Sequence, residues 1–351
     1  MSNWENNVRK VVPYTPGEQP DAPDMIKLNT NENPYPPSPK VLQAIRDFDA
    51  DRLRLYPDPT AGGLVRALAK RYQVKPSQVF VGVGSDDVLA MCFLTFFNSQ
   101  KPILFPDITY SFYDVWADAF RIPYEKQPLD ENLCICKEDY YKENGGVIFP
   151  NPNAPTGVLM ELSEVEDIIC HNPDVICIVD EAYIDFGGNS ALPLIEKYDN
   201  LLVVQTFSKS RSMAGARIGY AFGSERTIKY LNDVKYSFNS YTMDQLTLVT
   251  GAASLSDEQY FRDTLAKIIT TRERVKKELS ELGFTVPDSK SNFLFISHPR
   301  VSAKELFTAL RGQNIFVRYF DRPRIENMLR VTIGTDGEMD RLITFLKEYL
   351  C

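Results

Sequence analysis

Histidine is scarce in this sequence: of 351 residues only His171 and His298 are histidine, and the six cysteines include no C-x-x-C pair. Zinc sites draw on several such ligands at short spacing, so no metal is expected. Long apolar runs are missing too, and none approaches the ~20 residues of a membrane span. The opening Met1-Ser2-Asn3-Trp4-Glu5 begins no signal peptide. A cytoplasmic protein with no membrane partner is therefore expected, its cysteines, Cys134, Cys136 and Cys351 among them, reduced. Cys92, Cys170 and Cys177 lie in apolar segments and read as core. Positive charge is also short, with 39 Lys and Arg against 47 Asp and Glu and a net charge of −8, which argues against a nucleic-acid partner. Internal repeats and low-complexity tracts are absent.

What is present is enough apolar sequence, 44%, for substantial cores, and the length suggests two domains. Strand-like runs at Phe80–Val83, Ile103–Phe105, Val147–Phe149, Ile176–Val179, Leu201–Val204 and Ile218–Phe222 alternate with helical patterns. That alternation predicts an α/β unit whose mostly parallel central sheet is covered by helices on both faces. A charged amphipathic stretch, roughly Asp257 to Leu282, leads to a second unit. There Ser291–Ser297, Ala303–Arg311, Phe316–Tyr319, Leu329–Ile333 and Gly337–Leu350 read strand, helix, strand, strand, helix, a small α+β domain. The proline-rich opening, Pro13 through Pro39, reads as extended chain.

Four segments carry chemistry. Lys209 follows the buried-strand run Leu201-Leu202-Val203-Val204 and sits among Thr206, Ser208, Ser210 and Ser212, with Arg217 eight positions on. Its amine would emerge at the carboxyl edge of the sheet, where open α/β sheets bind ligands. Hydroxyls and a guanidinium beside it would hold a phosphate, although an ordinary loop lysine would carry a similar sequence. The run Val175–Val179 stops at Asp180 and Glu181, 29 residues before Lys209, so an adjacent parallel strand would bring both side chains to one rim. A strand-end cap is the other reading of Asp180. Asn151-Pro152-Asn153-Ala154-Pro155-Thr156-Gly157 is a rigid turn after a strand. Gly82-Val83-Gly84-Ser85-Asp86 joins a strand to a helix start, a place for one phosphate; the third glycine of a dinucleotide fingerprint is missing.

In this order the segments resemble those of the fold-type I pyridoxal-phosphate aminotransferases, and within them the histidinol-phosphate group. Leu28-Asn29-Thr30-Asn31-Glu32-Asn33-Pro34, Tyr56-Pro57-Asp58, Asp180-Glu181-Ala182-Tyr183, Ala216-Arg217-Ile218-Gly219-Tyr220 and Leu329-Arg330-Val331-Thr332-Ile333-Gly334 add to the likeness, which covers nearly the whole chain. The resemblance implies pyridoxal 5'-phosphate held on Lys209 as an aldimine, with Lys209 also moving the substrate proton. It implies Asp180 against the pyridine nitrogen, Tyr183 on the ring's phenolic oxygen and Tyr110 against the ring face, though Tyr110 also falls on a helical core stripe. Gly84, Ser85, Asp86, Ser208, Arg217 and Thr206 would hold the cofactor phosphate, joined by Tyr56 from a second subunit of a homodimer.

Arg330 and Arg318, both embedded in strand-like runs, would with Tyr14 and Asn33 take the phosphate of histidinol phosphate, and glutamate or 2-oxoglutarate in the second half-reaction. Arg318 could instead form an ion pair on an exposed strand face. One departure stands out: the family has Asn before Pro-Thr-Gly where this chain has Ala154, and Asn153 is expected to take its place. The implied division is an N-terminal arm, 1–35, packing with the small domain, a large cofactor-binding domain, 36–260, and a small C-terminal domain, 261–351. A decarboxylase resembling the threonine-phosphate enzymes and an aromatic amino acid aminotransferase stay open, because the same arginines serve them. A cofactor-binding regulator is disfavoured by the lack of any DNA-binding appendage.

Overall fold

The computed structural model describes residues 3–350; Met1, Ser2 and Cys351 lie outside the described residues, and with them the expectations for the first two positions and the terminal thiol. Its strands are β1 (Ile26–Lys27), β2 (Val79–Val83), β3 (Ile103–Pro106), β4 (Tyr124–Gln127), β5 (Gly146–Pro150), β6 (Cys177–Asp180), β7 (Leu201–Thr206), β8 (Ile218–Gly223), β9 (Phe293–Ile296), β10 (Ile315–Phe316), β11 (Arg318–Tyr319) and β12 (Leu329–Thr332). Seven of them form the central sheet in the order β2-β8-β7-β6-β5-β3-β4. Only β8 runs against its neighbours; the other six strands share one direction.

Alternation along the inner strands decides what covers each face. Val147, Phe149, Cys177, Val179, Leu201 and Val203 belong to one core, shared with the helices Gly62–Tyr72 and Leu162–Cys170. Ile148, Ile178, Leu202 and Val204 point the other way, into a core built with Gly84–Phe96, Tyr113–Phe120 and Glu225–Phe238. Both faces are thus buried, as β-branched runs without polar alternation require.

A third core joins β9, β12, the helices Ala303–Gly312 and Asp336–Leu350, and Ile26 and Leu28 of the N-terminal arm. Ser302 caps the first of these helices in a reciprocal box with Glu305. β1 pairs in parallel with β10, which ties the arm to this unit. The helix Glu258–Glu281 spans the two regions, with the Phe261 ring 4.2 Å from the Arg211 guanidinium beside the sheet and Ile268, Val275 and Leu279 in the third core.

Two expectations are corrected, and one strand was not foreseen. The run Phe316–Tyr319 is two short strands, because the chain breaks at Val317 and β10 and β11 join different sheets. β4, Tyr-Glu-Lys-Gln, carries no apolar run because it is an edge strand. Cys170 is exposed at a helix end, where its thiol meets the Tyr198 hydroxyl at 2.8 Å, whereas Cys92 and Cys177 are buried.

The spanning helix is held by Arg272, a buried guanidinium whose Nη1 donates to the carbonyls of Phe186 (2.8 Å) and Ser291 (2.9 Å). Arg272→Ala leaves both carbonyls short of a donor. It should cost about 2–4 kcal/mol, read as a lower denaturant midpoint at unchanged slope.

Candidate active site

The carboxyl ends of β3, β5, β6 and β7 open on one rim, and the chain leaves each strand carrying a site residue. β7 ends at Thr206 and delivers Ser208 and Lys209; β6 ends at Asp180 and turns to Tyr183; β3 leads to Thr109 and Tyr110; β5 leads to the Asn-Pro turn, in which both Asn151-Pro152 and Ala154-Pro155 bonds are cis. Together they enclose a two-lobed cleft whose lobes, counting space open to solvent, hold about 800 Å³ and 700 Å³. Lys209, Tyr110, Tyr183, Ala154 and Thr30 line both lobes, so the lysine stands at their junction. Its Nζ donates to the Thr30 carbonyl at 3.4 Å and lies 5.7 Å from the centre of the Tyr183 ring.

The inner lobe has an acidic and a basic end. Asp180 is buried; Tyr113 Oη donates to it at 2.8 Å and the Ala182 N–H at 3.2 Å. Burial nevertheless outweighs these bonds and pushes its carboxyl up to about 6. No ion pair compensates it among the described residues, so a cation at its oxygens would be strongly favoured. At the other end, Arg217 contacts Ser208 Oγ (3.4 Å) and Asp86 (3.1 Å), and Tyr110 Oη donates to the other Asp86 oxygen at 2.6 Å. The helix Gly84–Phe96 begins here, its first N–H groups unsatisfied within the helix. Gly219 lets the strand approach: a Cβ there would sit 2.2 Å from the Gly84 carbonyl carbon and 2.3 Å from the Ser85 nitrogen.

The outer lobe is cationic. Arg318 and Arg330 are directly opposed in the β11–β12 register, which puts two like charges on one face of the sheet. Neither has a carboxylate within ion-pair distance among the described residues. Arg330 donates from Nη2 to the Asn29 carbonyl (2.9 Å), while its buried Nε has no partner. Burial, and then the charge of Arg318, holds its guanidinium below the usual value. Tyr14 of the arm lines the same lobe, stacked on Phe112 at 4.1 Å. Two unneutralised guanidiniums lining one lobe are a site for an anion.

These features together fit a ligand with a ring cation at Asp180, a phosphate at Arg217 and Ser208 and a carbonyl at Lys209, beside a second, anionic molecule. Comparison with known proteins agrees. A family model described as aminotransferase class I and II matches residues 23–346. The chain belongs to the class I and II aminotransferases. It is 56% identical over 348 residues to the histidinol-phosphate aminotransferase of Lactococcus lactis subsp. cremoris strain MG1363, covering 99% of this chain and 98% of that protein. Identity to the Clostridium acetobutylicum enzyme of the same name is 52%, covering 98% of each. In three dimensions the chain superposes on the Sinorhizobium meliloti histidinol-phosphate aminotransferase in complex with pyridoxal-5'-phosphate (TM-score 0.85, 24% identity, 93% and 90% covered). It also superposes on L-threonine-O-3-phosphate decarboxylase from Porphyromonas gingivalis (TM-score 0.78, 20% identity, 93% and 99% covered).

Most residues singled out in the sequence of this aminotransferase line the cleft; five do not, Gly84 among them, which stands at the helix start just before Ser85. Asn33 turns away: its amide donates to the carbonyls of Lys209 (3.0 Å) and Ser210 (3.3 Å), so it braces the lysine loop. Asn153 is buried behind the cleft, donating to the Ile108 carbonyl (2.9 Å) and accepting from Thr109 (3.1 Å), while Ala154 lines the cleft. Thr206 stands behind Ser208, bonded to its Oγ at 3.0 Å. Tyr56 is 82% exposed, lies against Tyr241 and lines neither lobe. Two residues were missed. Tyr113 reads as core by its helical spacing and is core except for its hydroxyl. Asn31 lies beside Tyr183, its Nδ2 donating to Tyr183 Oη at 2.8 Å; the quoted Asn-rich motif contained it without marking it out.

The raised carboxyl of Asp180 gives a pH dependence. Its ordinary value is 3.8, so between about pH 4 and pH 6 the folded state keeps a proton the unfolded chain releases, and stability falls as pH rises. Glu181, pushed to about 7 by burial, continues the fall. Asp180→Asn should remove its share, on the order of 3 kcal/mol at most, seen by comparing urea unfolding of the ligand-free protein at about pH 4 and about pH 7.

Proposed function

We propose that this chain is a pyridoxal-phosphate-dependent aminotransferase that transfers the amino group of histidinol phosphate to 2-oxoglutarate, giving imidazole acetol phosphate and glutamate, by a ping-pong route in histidine biosynthesis. The observation that carries the substrate is the opposed pair Arg318 and Arg330, with Tyr14, at the mouth of the lobe that Lys209 closes. A pair of unneutralised guanidiniums suits a phosphate monoester in one half-reaction and a dicarboxylate in the other. The 50–56% identity to histidinol-phosphate aminotransferases over nearly full length supports the same reading. The decarboxylase reading has only a likeness of fold behind it.

In this proposal Asp180 holds the cofactor's ring nitrogen, Tyr183 its phenolic oxygen, Tyr110 its ring face, and Arg217, Ser208 and the N–H groups at Gly84 and Ser85 its phosphate. Pyridoxal phosphate supplies, when bound, an electron sink that acidifies the proton on the substrate's amine-bearing carbon. Asp180 keeps the ring nitrogen protonated, which burial of an uncompensated carboxylate favours. Asp86 takes the positive charge of Arg217 on its far side and fixes Tyr110, acting on the phosphate only through them. Lys209 Nζ, at the junction of the lobes, anchors the cofactor's carbonyl and moves the substrate proton. Arg318, Arg330 and Tyr14 orient the anionic end of the substrate so that the amine-bearing carbon faces Nζ.

The arm, large domain and small domain divide at 1–35, 36–260 and 261–351 in the same proposal. A homodimer with Tyr56 entering the partner's cleft is supported by an exposed apolar surface of Leu53, Leu55, Tyr56, Phe238 and Tyr241. Among the described residues no helix is long and apolar enough to cross a membrane. A cytoplasmic location is proposed with it, in keeping with the free thiols of Cys92, Cys134, Cys136, Cys170 and Cys177.

Four outcomes test the proposal. Incubation with histidinol phosphate and 2-oxoglutarate should yield glutamate, whereas O-phosphothreonine should release no carbon dioxide; Lys209→Ala should abolish glutamate formation with an unchanged circular dichroism spectrum, and turnover by that variant would remove the lysine from the mechanism. Gly219→Ala forces backbone apart at the proposed phosphate cradle. It should weaken pyridoxal phosphate binding by roughly tenfold or more, measured by fluorescence titration of cofactor-free protein, with histidinol phosphate KM little changed.

A further inference from the structure

We infer that Asn31 is a positioning residue that aims the hydroxyl proton of Tyr183 into the cleft, and through it sets the proton affinity of the bound cofactor; the inference rests on the proposed function. Asn31 belongs to the N-terminal arm, is buried, and holds a left-handed backbone conformation (φ +60°) that non-glycine residues seldom keep without support. That support comes from the small domain. The Asn31 N–H donates to Thr332 Oγ1 (3.1 Å), Thr332 Oγ1 donates to Asn31 Oδ1 (3.0 Å), and Asn292 Nδ2 donates to the Asn31 carbonyl (3.0 Å).

These bonds settle the orientation of the Asn31 amide. Thr332 is buried and its hydroxyl meets no other acceptor among the described residues, so its one proton goes to the Asn31 side chain and the atom it meets is the oxygen. The amide nitrogen therefore faces Tyr183 and donates to Oη at 2.8 Å. An amide N–H cannot accept in return, so the single proton of the Tyr183 hydroxyl must point elsewhere. No protein acceptor meets it among the described residues, and Tyr183 lines both lobes of the cleft. With Ala154 lining the cleft and the Asn153 side chain bonded to the Ile108 carbonyl, no second side-chain amide shares this task. The direction of donation runs from Thr332 of β12 through Asn31 to Tyr183 and into the cleft.

A hydroxyl proton aimed at the phenolic oxygen stabilises that oxygen as an anion and weakens its hold on a neighbouring proton. Losing the aim should raise the pH midpoint of the visible absorbance change of the holoenzyme. Asn31→Gly keeps the backbone conformation and removes the donor, and should raise the midpoint by roughly one pH unit, the size of one hydrogen bond. Asn31→Asp sets an acceptor against Tyr183, draws its proton away from the cleft, and should raise the midpoint further. Ala154→Asn in the Asn31→Gly background restores an amide donor at the cleft and should bring the midpoint back. In a Tyr183→Phe background, Asn31→Gly should add no shift, which separates aiming from general loosening of the arm. An unchanged midpoint in Asn31→Gly, or an equal shift with Phe at 183, would overturn the inference. Absence of any visible band from the wild-type protein after adding pyridoxal phosphate would instead sink the functional reading beneath it.

Discussion

The register between β6 and β7 is the constraint on which the site depends. Asp180 pairs with Val204 and, on its other side, with Pro150, so β5 and β6 end level at one rim and β7 runs two residues further. Even-numbered side chains of β6 point to the face that holds Tyr113, and Asp180 continues that set; a slip of one residue would turn its carboxyl into the opposite core. The same pairing leaves Thr206 just beyond the ladder, and the chain needs only Phe207 and Ser208 before Lys209 reaches the space above Asp180. Apolar burial on both faces fixes the register, and the register fixes the chemistry.

On that frame the protein keeps charges that its fold does not neutralise. Asp180 lacks a cation, Arg318 and Arg330 oppose each other across a ladder, and the Arg330 Nε has no partner. Each arrangement lowers stability when nothing is bound, and Asp180, Arg318 and Arg330 all line the cleft. The hydrogen bond that Tyr113 donates to Asp180 and the one that Arg330 donates to the Asn29 carbonyl hold the groups in place without satisfying them, which is the condition for strong, oriented binding of complementary charge. The arm takes part directly, since Thr30 touches Lys209, Asn31 touches Tyr183 and Tyr14 shares a lobe with both arginines.

Much of this was legible in sequence because buried parallel strands announce themselves. Runs such as Val175–Val179 and Leu201–Val204 have no competing period, and polar residues at their ends mark the rim. β4 was not legible, since an exposed edge strand of Tyr-Glu-Lys-Gln has neither alternation nor an apolar run. Asn33 and Asn31 show the sharper limit. They are two residues apart in one motif, but a left-handed turn at Asn31 sends one amide to Tyr183 and the other to the back of the lysine loop, and nothing in composition or spacing encodes that turn. Tyr113 fits a core stripe correctly, and only the fold reveals that its hydroxyl meets a carboxylate 67 residues away.

The most direct measurement is the visible absorption spectrum of the protein reconstituted with pyridoxal phosphate, before and after histidinol phosphate is added with no oxo-acid present. The account predicts a visible band that disappears stoichiometrically in favour of the amino form of the cofactor, and that returns on adding 2-oxoglutarate. A band untouched by histidinol phosphate would contradict the assignment of Arg318 and Arg330 to that substrate, and absence of the band would contradict the role given to Lys209.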